Sequence, residues 1–140
     1  MEIVTLRYQK FTKALQSLHQ ALIKFKTHAD HDMARDSVIQ RFEYCADMFW
    51  KVLKDHLKMH LKIEIEVARP KPVFKECFDT KIISNEEFDI CIKLIEDRKL
   101  TSHTYDEKFA EIMSLRIENY SILMQSVMKR IAQQDQISSL

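Results

Sequence analysis

No glycine occurs anywhere in the 140 residues of this chain, and only two prolines do. Glycine supplies the positive-φ positions that tight hairpin turns require, so a chain without it has few ways to fold short strands into a sheet. An all-helical fold follows, and the apolar spacing agrees with it. Phe11, Leu15, Leu18, Leu22 and Phe25 recur at intervals of four and three, one stripe along a helix of about six turns. The polar run THADHD, residues 27–32, loses that period and reads as a connection, with Asp30 or Asp32 available to cap the next helix. From Met33 to Leu61 a second helix carries Val38, Phe42, Cys45, Phe49, Val52 and His56 on one stripe and Ile39, Ala46, Trp50, Leu53 and Leu57 on the next. An apolar arc this wide implies burial against more than one neighbour, with Trp50 as a core residue.

Beyond Lys62 the sequence IEIEVARPK alternates like a short strand, but a lone strand leaves its backbone unsatisfied and Pro70 and Pro72 end it, so it reads as an extended linker. Pro72 suits the first turn of a short helix through Phe78. Ser84 and Glu87 have the spacing of a capping box for a helix whose inner face is Phe88, Cys91, Ile92 and Ile95. Thr104 and Glu107 repeat that spacing before the last helix, where Met113, Ile117, Tyr120, Met124, Val127 and Ile131 form the stripe. The expected architecture is an up-and-down bundle of three long and two short helices, one domain over residues 1–140 with 132–140 as a frayed tail.

Charge and cysteine usage exclude several functions. With 22 basic and 21 acidic residues and a net charge of +1, the chain lacks the strongly basic surface of a general nucleic-acid binder, so any such site is local. Cys45, Cys77 and Cys91 are odd in number, have no CxxC spacing and lie among apolar residues, which suits a reducing cytoplasm. No apolar run approaches the roughly 18 residues of a membrane span, and the N-terminus lacks the pattern of a secretory leader, so a cytoplasmic protein without a membrane partner is expected. The pair His56 and His60 and the cluster His28, Asp30, His31 and Asp32 could ligate a metal. Neither completes a known ligand set, and no metal or cofactor is expected. Met113, Met124 and Met128 suit a core or a dimer interface better than a cofactor site.

The chemistry concentrates in EDRKLTSHTYDE, residues 96–107, where one helical pattern gives way to the next. Arg98 offers a permanent planar cation for a phosphate. His103, whose ordinary pKa of about 6.5 lies near working pH, can shuttle a proton, and a place at the opening of the last helix would favour its neutral form and attract phosphate. Tyr105 adds a phenol, and Lys99 and Ser102 are candidate substrate contacts. Ordinary end-of-helix chemistry also accounts for such a run, with an arginine near a helix C-terminus, hydroxyls as caps and Tyr105 as a first-turn residue. On the second helix Arg35 reads as part of a solvated face, while Asp36, Arg41 and Glu43 could be solvated or could line a groove.

RDSVIQRFEYCADMFWKVLK, residues 35–54, together with the Arg98-x4-His103-x-Tyr105 pattern resembles the HEPN superfamily over nearly the whole chain. The similarity is to its nucleotidyltransferase substrate-binding branch, close to the HepT-like toxins. That resemblance implies a dimeric helical bundle and a partner minimal nucleotidyltransferase (MNT) acting as antitoxin. It also implies metal-independent RNA cleavage by Arg98 and His103, and AMP transfer from the partner to Tyr105. The sequence departs from the pattern at Lys99, where asparagine is usual, at Lys81, where glycine is frequent, and at Phe88, where tryptophan is usual. Lys99 either adds a phosphate contact or marks a member that keeps the scaffold without the activity. Two function classes stand, beside the blander option of a helical dimer of unrelated role: a metal-independent endoribonuclease toxin, and a non-catalytic substrate-binding subunit of a two-component nucleotidyltransferase.

Overall fold

The structure, a computed structural model, describes residues 2–27, 31–103 and 106–138, and the side chains of residues 6–27, 32–102 and 106–134. Five helices follow in order: α1 (Glu2–Thr27), α2 (His31–Leu61), α3 (Pro70–Asp79), α4 (Asn85–His103) and α5 (Glu107–Ser138). No strand occurs among the described residues; residues 62–69 are irregular, as the isolated alternating segment required. Its alternation survives as a packing pattern. Ile63 and Ile65 lie partly buried against the core while Glu64 and Glu66 are exposed.

The core is assembled around α2, which packs against each of the other four helices. Val38, Phe42, Cys45, Phe49, Leu53 and Leu57 are fully or almost fully buried, and they meet Phe11, Leu15 and Leu18 of α1, Phe74 and Cys77 of α3, and Ile117, Met124 and Val127 of α5 in one cluster. Aromatic rings tie the helices together: Phe49 stacks with Phe11 at 5.8 Å between centroids, and Phe42 stacks with Tyr120 at 5.6 Å. Both α2 stripes read from the sequence are therefore internal, with one exception. Trp50 lies at the edge of the arc, is half-buried, and has the Lys51 ammonium 5.8 Å from its ring centroid, so it flanks the core instead of filling it.

Burial also fixes the cysteines as packing residues. Cys45 and Cys77 have their thiols pushed up to about 12 by burial, and burial raises that of Cys91 as well. None presents a thiolate at neutral pH.

The turn from α3 to α4 orients the C-terminal half of the molecule. α3 begins two residues earlier than Pro72 suggests, with Pro70 and Pro72 both in its opening residues. It ends in a Schellman motif: the Ile82 amide donates to the Cys77 carbonyl at 2.8 Å and the Lys81 amide to that of Phe78 at 3.0 Å. Lys81 takes the left-handed position there, with φ of 65°, and Lys62 does so after α2, with φ of 58°. Without glycine in the sequence, lysines occupy the conformations that glycine adopts at least cost.

Ser84 and Glu87 then form the expected capping box: the Glu87 amide donates to Ser84 Oγ at 3.1 Å and the Ser84 amide to Glu87 Oε1 at 2.8 Å. Arg130 of α5 reaches the same carboxylate with two nitrogens, at 2.8 and 3.1 Å, and donates to the Ile82 carbonyl at 2.7 Å. One carboxylate thus caps α4 and pins α5 to the α3–α4 turn. α5 itself continues to Ser138, into the stretch expected to be a tail.

Two stability measurements follow from this turn. Lys81→Gly removes a left-handed non-glycine residue and is expected to raise unfolding free energy by up to about 1 kcal/mol, net of the extra freedom glycine gives the unfolded chain; a loss of stability in urea denaturation would show that the Lys81 side chain makes a compensating contact. Glu87→Gln keeps the capping-box acceptor but removes the charge paired with Arg130, and should cost about 1 kcal/mol. Hydrogen bonds from Arg130 hold the Glu87 carboxyl below its usual value of 4.5. Its contribution is therefore complete above that pH and is lost as pH falls through the lowered folded value. The wild-type advantage over Glu87→Gln should shrink in acid; a difference unchanged from pH 7 to pH 3 would show that the pairing is not coupled to folding.

Candidate functional site

α4 does not stop at Arg98 but runs on through Thr101 and Ser102 to His103. Arg98 therefore stands within the helix, one turn and more before its end, and its side chain crosses to α2. Nε donates to Asp47 Oδ1 at 3.0 Å and Nη2 to Asp47 Oδ2 at 3.1 Å, a bidentate fork. Nη1 donates to Glu43 Oε2 at 3.0 Å and to Ser102 Oγ at 2.7 Å. Thr101 Oγ1 lies 3.0 Å from the same Glu43 oxygen and 2.7 Å from the Arg98 carbonyl; its single proton serves one acceptor at a time. The hydrogen bonds to Asp47 raise the Arg98 pKa above its ordinary value, so the guanidinium is a fixed cation in a defined orientation.

This cluster answers one question the sequence left open and adds a residue it did not suggest. Glu43 lines the site. Asp47, unremarked in sequence, is one turn further along α2, and the i, i+4 pair of acids on one helix face is the signal that could have found it. Ser102 touches Arg98, whereas Lys99 is exposed beside it.

The helical bounds change the reading of His103. It occupies the last position of α4, at the carbonyl end of a helix, where the macrodipole favours positive charge and does not attract phosphate; the electrostatic role assigned from a place at the opening of the last helix does not hold. Its side chain, Thr104 and Tyr105 lie outside the described residues, as do His28 and Asp30 and the side chain of His31. The last helix begins later than the Thr104–Glu107 spacing suggests. Asp106 is its cap, accepting from the Phe109 amide at 2.8 Å through Oδ1, and the Ala110 amide bonds the Asp106 carbonyl at 3.0 Å.

α2 braces the far side of the same junction. Arg35, expected on a solvated face, is buried, with 5% of its surface exposed. Its guanidinium lies 3.4 to 3.9 Å from the carboxylates of Asp32, Asp36, Glu107 and Glu111, which join the start of α2 to the first turns of α5. On the adjoining face of α4, Asp97 is buried and accepts hydrogen bonds from the Tyr120 hydroxyl and, at 3.1 Å, from Arg116 Nη1. Burial and that hydrogen bond raise the Tyr120 pKa above the usual phenol value, so it is a structural donor. Asp97 and Arg98, adjacent in sequence, thus anchor α4 to α5 and to α2 respectively.

His56 is buried and stacks on His60 at 5.1 Å between ring centroids. No group of three or more metal-ligating side chains occurs among the described residues. No helix in the described residues is long and apolar enough to cross a membrane.

The model of the family described as "Nucleotidyltransferase substrate binding protein like" matches residues 6–133. No protein of curated function matches the sequence. Among solved structures, a protein from Thermus thermophilus is 32% identical, with 86% of this chain and 98% of that one covered and a TM-score of 0.77. A chain of a mutant MntA–HpeT toxin–antitoxin structure is 14% identical, covering 95% of this chain and 99% of its own at a TM-score of 0.72. A structure of a tri-AMPylated HEPN toxin of Shewanella oneidensis in complex with an MNT antitoxin gives 14%, 95%, 98% and 0.70. At that identity the likeness concerns the fold, which is the HEPN helical fold.

Proposed function

We propose that this chain, which belongs to the nucleotidyltransferase substrate binding protein-like family, is the toxin of a toxin–antitoxin pair: a metal-independent endoribonuclease held in check by a partner minimal nucleotidyltransferase. The observation that carries this reading is Arg98 itself. It is a guanidinium locked by Asp47 and Glu43 a little over one turn before the end of α4 at His103, in the spacing Arg-x4-His-x-Tyr. Support also comes from the fold shared with toxins whose solved structures contain an MNT antitoxin.

The chemistry asks little of the protein beyond these groups. The ribose 2′-hydroxyl attacks the adjacent phosphorus, the bond from phosphorus to the 5′ oxygen breaks, and a 2′,3′-cyclic phosphate and a 5′-hydroxyl result. His103 moves a proton in this exchange, either from the attacking oxygen or to the departing one. Arg98 holds the phosphate and balances the charge that builds on it. A homodimer would bring two such pairs to one groove. In the regulatory step the Tyr105 phenol oxygen attacks the α-phosphorus of ATP on the partner, pyrophosphate leaves, and the attached AMP places negative charge and bulk beside Arg98.

One observation favours a second reading, that of a substrate-binding subunit which cuts nothing. Arg98 already has two carboxylates and a hydroxyl on its donors, which makes it a bracing residue as much as a phosphate ligand. Cleavage decides between the two. Purified protein should cut single-stranded RNA in the presence of chelator, and Arg98→Ala and His103→Ala should each reduce the rate by at least a hundredfold, the scale of a lost proton shuttle or charge-stabilising group. Arg98→Ala should move stability by no more than about 1 kcal/mol, since its pairs are partly open to solvent. Retained cleavage in His103→Ala would remove the catalytic assignment, and a wild type that never cuts would leave the binding subunit.

Regulation is tested separately. After co-expression with the partner nucleotidyltransferase, intact-mass measurement should show AMP additions that are absent in Tyr105→Phe, and that variant should resist neutralisation while keeping its activity. Additions that persist in Tyr105→Phe place the acceptor elsewhere; neutralisation without any added mass means a block by protein contact alone.

A further inference from the structure

The Arg98 cluster is poor in uncommitted positive charge, and the chain carries a second surface of opposite character. An open groove of about 690 Å³ lies between α1 and α2, and Lys10, Lys13, Ser17, Gln40, Arg41 and Tyr44 line it. Among the described residues no carboxylate contributes to its lining. Arg41 donates from Nε to Ser17 Oγ at 2.8 Å and from Nη1 to Ser37 Oγ. Two neutral hydroxyls therefore aim this guanidinium without neutralising it, where Asp47 and Glu43 neutralise Arg98. Lys10 and Lys13, one turn apart on α1, are exposed on the facing wall. Tyr44 is 49% exposed beside them, a large ring half open to solvent.

Three cations that pair with no carboxylate among the described residues, along a groove with an open aromatic ring, suit a ligand that offers both phosphates and flat bases, since a backbone tracked by Lys and Arg and bases stacked on aromatics is how single strands are held. An acidic peptide would answer the charges but leave the ring unexplained. Position agrees with this choice. Tyr44 follows Glu43 directly and precedes Asp47 by three residues, so on α2 the rim of the groove adjoins the carboxylates that clamp Arg98.

We propose that the α1–α2 groove is a binding site for single-stranded RNA, with Lys10, Lys13 and Arg41 on the phosphates and Tyr44 stacked on a base. It rests on the reading of the chain as a ribonuclease only in naming RNA as the ligand; it supplies the affinity that the neutralised Arg98 cluster lacks. No step of cleavage is assigned to it.

The test is binding, measured apart from cleavage. The probe is a fluorescein-labelled 2′-O-methyl oligouridylate of about ten nucleotides, within the span of one single-strand site and without the 2′-hydroxyl needed for self-attack. Fluorescence anisotropy on the full chain should give an affinity that falls with salt. Replacing Lys10, Lys13 and Arg41 together by Ala should lower the slope of log affinity against log salt by about 2, at roughly 0.7 per phosphate contact. Tyr44→Ala should weaken binding by about tenfold or more, Tyr44→Leu should weaken it similarly, and Tyr44→Phe should leave it intact, which separates stacking from apolar area. Circular dichroism melts check that each variant is folded.

Absence of wild-type binding, or a triple variant with unchanged slope, overturns the proposal. Binding that is indifferent to Tyr44→Leu also overturns it, because the groove would then attract charge alone. If the groove variants bind RNA normally but no longer retain the co-expressed nucleotidyltransferase, the surface is a protein interface and the proposal fails. The outcome for the ribonuclease reading is independent: a wild type that binds through the groove but never cuts loses the enzyme and keeps the site, and one that cuts with the groove variants binding normally does the reverse.

Discussion

Burial of a broad arc of α2 against four other helices is the constraint from which the rest of the structure follows. A helix with two adjoining apolar stripes needs partners on several sides, and α1, α3, α4 and α5 supply them. The margins and outer side of α2 are left to polar residues. One stretch is the rim of the α1–α2 groove, with Gln40, Arg41 and Tyr44; another carries Glu43 and Asp47 toward α4; and the buried Arg35, at its start, reaches toward α5. The polar residues of the site are thus gathered by the same packing that closes the core, although they come from distant parts of the sequence.

This arrangement also explains how α4 is held on both flanks. Arg98 ties α4 to α2, Asp97 ties it to α5 through Tyr120 and Arg116, and Arg130 with Glu87 ties the far end of α5 to the start of α4. Charge-assisted bonds of this kind have geometry as their main product, because the desolvation of the ions offsets much of their attraction. Rigid presentation is what a site made of a few side chains at a helix end requires.

The fold was legible in the sequence because its signals are local and periodic: the four-three stripes of α1, α2 and α5 and the Ser84–Glu87 box each refer to residues within a turn or two. What escaped depends on distance. Arg35 reads as solvated until Glu107 and Glu111 are brought beside it, and no pattern near residue 35 announces partners more than seventy positions away. Trp50 reads as core because its stripe is apolar, yet it falls at the margin of the arc. The end of α4 was missed for another reason. LTSH has weak helical amphipathicity, so the period vanishes before the helix does, and the hydroxyls of Thr101 and Ser102 are held by Arg98 and Glu43 instead of by an apolar neighbour. Of the site, Arg98, Ser102 and Glu43 are found together, Asp47 joins them, and the His103 side chain and Tyr105 lie beyond the described residues.

The clamp on Arg98 sets terms for any phosphate that reaches it. A guanidinium has five N–H donors; Nε and one on Nη2 are committed to Asp47, and those of Nη1 to Glu43 and Ser102. One Nη2 hydrogen remains. A phosphate oxygen approaching this group therefore meets a single uncommitted donor, and the contact most easily exchanged is that with Ser102, the only neutral acceptor of the set, since bonds to ionised acceptors are about twice as strong. Displacing Asp47 would break two bonds of a bidentate pair and leave its charge uncompensated. The geometry accordingly directs an incoming anion to the Ser102 side of Arg98, toward the end of α4 that leads to His103. With its charge already balanced, Arg98 gives such a contact direction more than strength, and attraction over distance falls to the cations that no carboxylate holds.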